Sequence, residues 1–177
     1  MGDDKTKIKV HTGWKHEVTN PSGDTNLIAT TVELVSSDEV HFHVPRYLLM
    51  ANSPVLKDML SLPTGESQKV ELSDPFFETF SPIAFYLSLI IGEDGKTTLE
   101  ARFKGAIVKT CYAAIQLAIK WESVLVLKSI EATLLAFNIP SNLKGHPEVR
   151  ALDIFLLGYK GDMTNVTATV IQTYNVA

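Results

Sequence analysis

The sequence predicts an α+β fold, in which a small three-stranded sheet packs with a cluster of helices and a helical extension follows at the C-terminus. Two observations predict this class. Runs of β-branched residues come early in the chain, whereas most of the later part repeats its apolar residues at helical spacing. Strands and helices that segregate in this way are typical of α+β folds and not of doubly wound α/β folds. The 177 residues, 45% of them hydrophobic, are enough to bury a core of their own.

A β-hairpin is predicted to begin the sheet. Residues 27–35 are rich in β-branched side chains, and a polar turn at residues 36–39 separates them from residues 40–44. The second run alternates strictly, with its three apolar residues on one face and His41 and His43 on the other, so one face of the hairpin should be buried. A third short strand is predicted at residues 69–72.

Two short helices are predicted between the hairpin and the third strand. Pro45 suits the first position of a helix, where its missing N–H is not needed, and residues 46–51 follow it. Ser53 and Pro54 combine a capping hydroxyl with a first-turn proline and lead into residues 55–60. Asp74 and Pro75 repeat this signal, so a longer helix is predicted to begin there.

Apolar side chains at helical spacing mark three helices, the first of which is the one predicted to begin at Asp74. Their stripes are Phe77, Phe80, Ala84, Leu87 and Ile91; Ile107, Cys111, Ala114 and Ala118; and Leu127, Ile130, Leu134 and Phe137. Turn residues at 92–96 end the first helix, and residues 140–142 end the last. This pattern predicts an N-terminal arm at residues 1–26, a core domain at 27–140 and an extension at 141–177. The extension should hold one helix at residues 147–159 and a second one capped by Asp162.

Composition and charge exclude several classes of function. With 16 Lys and Arg against 20 Asp and Glu, the net charge of -4 argues against nucleic acid as the main partner, because phosphate binding needs a positive field. The longest apolar run, residues 83–91, is too short to cross a bilayer, and the polar N-terminus is not a secretory signal. The single cysteine, Cys111, cannot form an internal disulfide, so a cytoplasmic or nuclear location is expected.

The sequence contains no signature of an enzyme, and neither a catalytic activity nor a cofactor is predicted. Glycine-rich phosphate-binding loops, the helical zinc-protease motif and the serine-hydrolase elbow are absent. His41 and His43 share one strand face and could reach one metal ion, with His11, His16 or a carboxylate as a third ligand, which would support a metal-dependent activity. The polar face of an amphipathic strand is the better interpretation, because spacing alone does not show that ligands converge. Cys111 lies in an apolar stripe, which favours a buried thiol over a nucleophile.

Residues 32–60 resemble a BTB/POZ domain. The matching positions are Phe42, Val44, Arg46, Leu49, Ser53, Pro54, Met59 and Leu60. The strand-to-helix step at residues 70–74 also fits, and residues 147–162 look like the helical extension of many fungal BTB proteins. The resemblance covers most of the chain and implies a BTB/POZ-like fold and a non-enzymatic protein–protein interaction module.

The resemblance implies two modes of action. A BTB module would homodimerise or recruit protein partners, a cullin ubiquitin ligase among them, and the implied interface residues are Leu27, Ile28, Arg46, Tyr47, Met50, Met59, Leu60 and Leu62. The segment also resembles elongin C, which implies a monomeric adaptor that bridges a cullin to a substrate receptor. Thr30 and Thr31 stand where dimeric members usually have Asp, and residues 64–66 lack the hydrophobic residue common in cullin-binding members. Both modes therefore stay open.

Overall fold

The computed structural model describes residues 9–10, 31–62, 68–138 and 146–174. Within these ranges a four-stranded sheet, with strand order β1-β3-β2-β4, packs with eight helices, which confirms the predicted α+β class. The strands are β1 (Lys9–Val10), β2 (Thr31–Val35), β3 (Val40–Pro45) and β4 (Gln68–Glu71). The helices are α1 (Arg46–Asn52), α2 (Pro54–Ser61), α3 (Phe80–Ile90), α4 (Gly95–Arg102), α5 (Ile107–Lys120), α6 (Val124–Phe137), α7 (Ala151–Lys160) and α8 (Thr164–Tyr174).

The predicted hairpin is confirmed as the centre of the sheet. Strands β2 and β3 pair antiparallel with Leu34 opposite Phe42, and both of these side chains are fully buried. Strand β4 adds parallel to the outer side of β2, which confirms the third predicted strand. The structure adds a fourth strand, the two-residue β1, which pairs parallel with the start of β3. The rest of the predicted arm and residues 27–30 lie outside the described residues.

The helix predicted to begin at Asp74 begins instead at Phe80, so this boundary was wrong. The Asp74 carboxylate does accept backbone N–H groups, those of Phe76 and Phe77 at 2.8 and 3.2 Å, but it closes a turn with them. The N–H of Phe80 donates to the carboxylate of Asp38 in the hairpin turn, at 2.8 Å. A side chain from another element therefore caps α3.

Helix α3 is the centre of the core. Every residue from 82 to 89 is buried, so the helix is covered all round and not only along the predicted stripe. Ile91 was predicted to share that stripe, but it lies just past the end of the helix and is half-exposed. Helix α4 was not predicted. It begins inside the segment taken as a break, because the Asp94 carboxylate accepts the N–H of Thr97 at 2.8 Å and caps it.

The extension forms a helical hairpin on the core. Helix α7 packs against α5 and α6, and α8 packs against α7 and α6, burying Ile154, Leu157 and Val166. Helix α7 begins at Ala151, later than predicted. Asp162 does not cap α8, because it adopts a φ of 55° two residues before that helix begins. Among the described residues, no helix is long and apolar enough to cross a membrane.

Candidate protein-interaction surface

Helices α1 and α2 pack against each other and carry apolar side chains that are exposed or half-buried. We call Tyr47, Met50, Val55, Met59 and Leu62 together the α1–α2 surface. Tyr47 and Leu62 are 67% and 62% exposed, and Val55 and Met59 are each 37% exposed. Met50 is partly buried against the core. A cluster of large apolar side chains at one place on a surface is typical of a protein interface, whereas single ones are ordinary.

Helical spacing explains why α2 is apolar on two sides. Leu56 and Leu60 are 1% exposed and anchor the inner face of the helix in the core. Val55, Met59 and Leu62 follow one another at spacings of four and three residues, which is the repeat of a second face. The inner face is therefore used within the monomer, and the outer face is open.

Two contacts of the Leu60 carbonyl hold the C-terminal end of α2 in place. The Arg46 guanidinium Nη2 donates to this oxygen from the start of α1, and Gln68 Nε2 donates to it from β4 at 3.0 Å. Because the last carbonyls of a helix have no partners within it, these side chains satisfy an end that would otherwise need water. These contacts connect the end of α2 to the start of α1 and to the edge strand β4.

Ser53 fixes the N-terminal end of α2. Its Oγ accepts the N–H of Leu56 at 3.0 Å as an N-cap and donates to the carbonyl oxygen of Trp121 at 2.5 Å. Trp121 follows directly after α5 and packs edge-on against Tyr86 of α3, with ring centroids 4.9 Å apart. The Tyr86 hydroxyl lies 2.6 Å from Ser123 Oγ. Both ends of α2 are thus held by buried or half-buried polar contacts, so the helix offers its outer face on a rigid support.

The predicted interface residues fall into three groups. Tyr47, Met59 and Leu62 are exposed, and Met50 lies half-buried beside them. Arg46 is half-buried with its guanidinium bound to the Leu60 carbonyl, and Leu60 itself belongs to the core, so Leu60 is withdrawn from the predicted surface. Leu27, Ile28 and residues 64–66 lie outside the described residues. Sequence reasoning missed Val55, although its spacing from Met59 and Leu62 could have identified it.

The two histidines of the predicted metal site lie on the polar face of β3. The Nδ1 atom of His41 is 2.7 Å from Glu33 Oε1, and His43 is the register partner of Glu33 across the hairpin. Throughout the part of the chain that the structure describes, no three His, Cys, Asp or Glu residues are grouped so that they could hold a metal ion. His11 and His16 lie outside that part.

Cys111 is fully buried in α5, as its position in an apolar stripe predicted. Burial raises the pKa of its thiol to about 12, because a thiolate would lose its hydration there. A thiol in this environment is not an activated nucleophile.

Comparison with known proteins gives one match. The family model described as BTB/POZ domain matches residues 24–119, which is more than half of the chain. The match spans strands β2 to β4, α1 to α4 and nearly all of α5, and therefore includes the whole α1–α2 surface. No curated protein and no solved structure matches the chain.

Proposed function

Because the chain belongs to the BTB/POZ family, whose members are generally non-enzymatic protein-interaction domains, we propose that it forms a homodimer through the α1–α2 surface. The observation that carries this proposal is the outer face of α2. Val55 and Met59 of α2 and Leu62 directly after it stay exposed, and each end of the helix is fixed by polar contacts. Covering them removes apolar area from water, which favours association.

The charges on α2 suit contact between two copies of the chain. A two-fold interface brings the same surface together, so it must be complementary to itself. The exposed residues Lys57 and Asp58 stand side by side on this helix and carry opposite charges. Lys57 and Asp58 leave α2 without a net charge, so two copies related by a two-fold axis meet without a net like-charge repulsion between their α2 helices.

The alternative is a monomeric adaptor of the elongin C type, whose apolar surface binds a different protein such as a cullin-ligase component. The replacement of the usual Asp by Thr30 and Thr31 is the feature that supports it. Solution mass separates the two proposals, because only the homodimer needs a second copy of this chain.

The experiment is light scattering on a sizing column over an about tenfold concentration range. We expect a mass near twice 19.5 kDa for the natural chain. The variant carrying Met59→Asp and Leu62→Asp should be monomeric, because it places carboxylates in the centre of the contact. Leu156→Asp is the matched control, since Leu156 is a 47% exposed residue of α7 far along the chain from α2. It should remain a dimer.

Two results would overturn the proposal. A monomer at every concentration excludes the homodimer and favours the adaptor. If the variant with Met59→Asp and Leu62→Asp stays dimeric and Leu156→Asp is monomeric, the interface lies on the extension.

A further inference from the structure

His146 joins the extension to the core between two carboxylates. Its Nε2 atom lies 2.8 Å from Glu100 Oε1 on α4, and its Nδ1 atom lies 3.4 Å from Glu148 Oε1, shortly before α7. The ring packs edge-on against Phe137 of α6, with centroids 5.5 Å apart. The His146 side chain is only 15% exposed, so the two carboxylates are its main polar partners.

The protonation state of the ring decides whether both contacts can form. A neutral imidazole has one N–H donor, and its other nitrogen offers a lone pair. The neutral ring therefore donates a hydrogen bond to one carboxylate only. Its lone pair faces the other carboxylate, which also has no proton to donate, so no hydrogen bond forms on that side. The imidazolium donates on both sides and carries the charge that both carboxylates favour.

We propose that His146 is a pH-dependent latch, which holds the start of α7 against α4 when the ring is protonated and loosens it when the proton is lost. The latch connects the matched BTB/POZ region with the extension through the contact between His146 and Glu100, because Glu100 belongs to the first and both His146 and Glu148 belong to the second. It acts on local opening and does not release the extension. Ile154, Leu157 and Val166 keep the helical hairpin on the core in either state.

The latch needs both carboxylates ionised, so Glu100 and Glu148 set the lower limit of the pH range in which it is closed. Lys96, 2.5 Å from Glu100 Oε1, is the main cause that lowers the pKa of Glu100, and His146 adds to it. The pKa of Glu148 is lowered first by its own backbone N–H, then by His146 and by Lys104. A carboxyl group with a lowered pKa stabilises the fold above its unfolded value and loses that contribution as the pH falls. Both carboxylates are therefore ionised throughout the weakly acidic range.

The charge of the His146 ring sets the upper limit of the pH range in which the latch is closed. The second hydrogen bond needs the charged ring, so its contribution is present while the ring is protonated and is lost as the pH rises and the proton leaves. A test of the latch therefore compares the acidic and the basic part of the range, about pH 5 to 8, in which histidine side chains in general change charge. A partly exposed ion pair changes an equilibrium by up to about fivefold, which is the size of the expected effect.

The test is amide hydrogen exchange of the full chain at about pH 6 and about pH 8, expressed as protection factors so that the intrinsic pH effect cancels. Protection of the first turn of α7 should fall about two- to fivefold between the two values, relative to peptides of the buried helix α5. In His146→Gln, which cannot change its charge, this pH dependence should disappear.

Two further variants keep the result interpretable. Glu148→Gln retains His146 and its contact with Glu100 but removes one charge, so it should reduce the pH dependence even if His146→Gln folds poorly. His43→Gln changes a histidine on the sheet and should leave the pH dependence intact. Equal protection of α7 at both pH values in the natural chain would overturn the proposal. An unchanged pH dependence in both latch variants would do the same.

Discussion

Replacing Ser53 by Ala tests the support beneath the α1–α2 surface. The substitution removes an N-cap, which costs about 1 kcal/mol, and a buried hydrogen bond to the Trp121 carbonyl, which costs about another 1 to 1.5 kcal/mol. Ser123 Oγ lies 3.5 Å from the same carbonyl, too far to replace the lost donor fully. We therefore expect the free energy of unfolding to fall by about 2 to 2.5 kcal/mol, and the melting temperature by about 4–10 °C.

The assay is urea unfolding at one fixed protein concentration, because dimerisation would make the apparent stability depend on it. Ser61→Ala is the matched control. Its hydroxyl bonds the Lys57 carbonyl within the same helix at 2.7 Å but is exposed, so its removal should change stability by less than about 0.5 kcal/mol. If Ser53→Ala and Ser61→Ala lower the free energy of unfolding by the same amount, the location of the hydroxyl does not matter and the reasoning is refuted.

Three further predictions concern the core and the extension. The Cys111 thiol should not react with a thiol reagent at neutral pH until the chain unfolds, because burial raises its pKa to about 12; rapid labelling of the folded chain would contradict this. Gly158→Ala would place a Cβ 2.8 Å from Val166, so urea unfolding should show a loss of about 1–3 kcal/mol that Val166→Ala partly restores. Tyr86→Phe should cost about 1 kcal/mol by losing the Ser123 contact. Burial raises the pKa of Tyr86 to about 12, so the natural chain should lose stability as the pH rises above about 10. A pH series of unfolding should show a smaller loss of stability in Tyr86→Phe, which has no phenol to ionise.

Much of the fold could be predicted because its signals are local. The alternation around Phe42 and Val44 specifies a strand with one buried face, and both residues are buried. The Ser53 cap is equally local, because its acceptor and the donor of Leu56 lie three residues apart. The start of α3 was misplaced because its cap is not local. Asp38 lies 42 residues before the N–H of Phe80 that it accepts, and no spacing rule connects them.

The candidate surface was predicted in part for a related reason. Helix α2 carries apolar residues on two faces, and periodicity alone does not say which face meets the core. Leu60 was assigned to the surface and Val55 was overlooked, although the structure places them the other way round. Choosing between the faces requires knowing where the sheet and α5 lie, which is tertiary information.

The chain separates the residues that hold the fold from those offered to a partner. Ser53 bonds the Trp121 carbonyl, Lys120 binds the buried carboxylate of Glu78 at 2.6 Å, and Tyr86 bonds Ser123, so three polar contacts meet at the end of α5. None of these side chains belongs to the α1–α2 surface. Exposed apolar residues of that surface can therefore change with little effect on stability. Met59→Asp and Leu62→Asp should accordingly alter the solution mass while the monomer stays folded, whereas Ser53→Ala should lower stability without removing any apolar side chain from the interface.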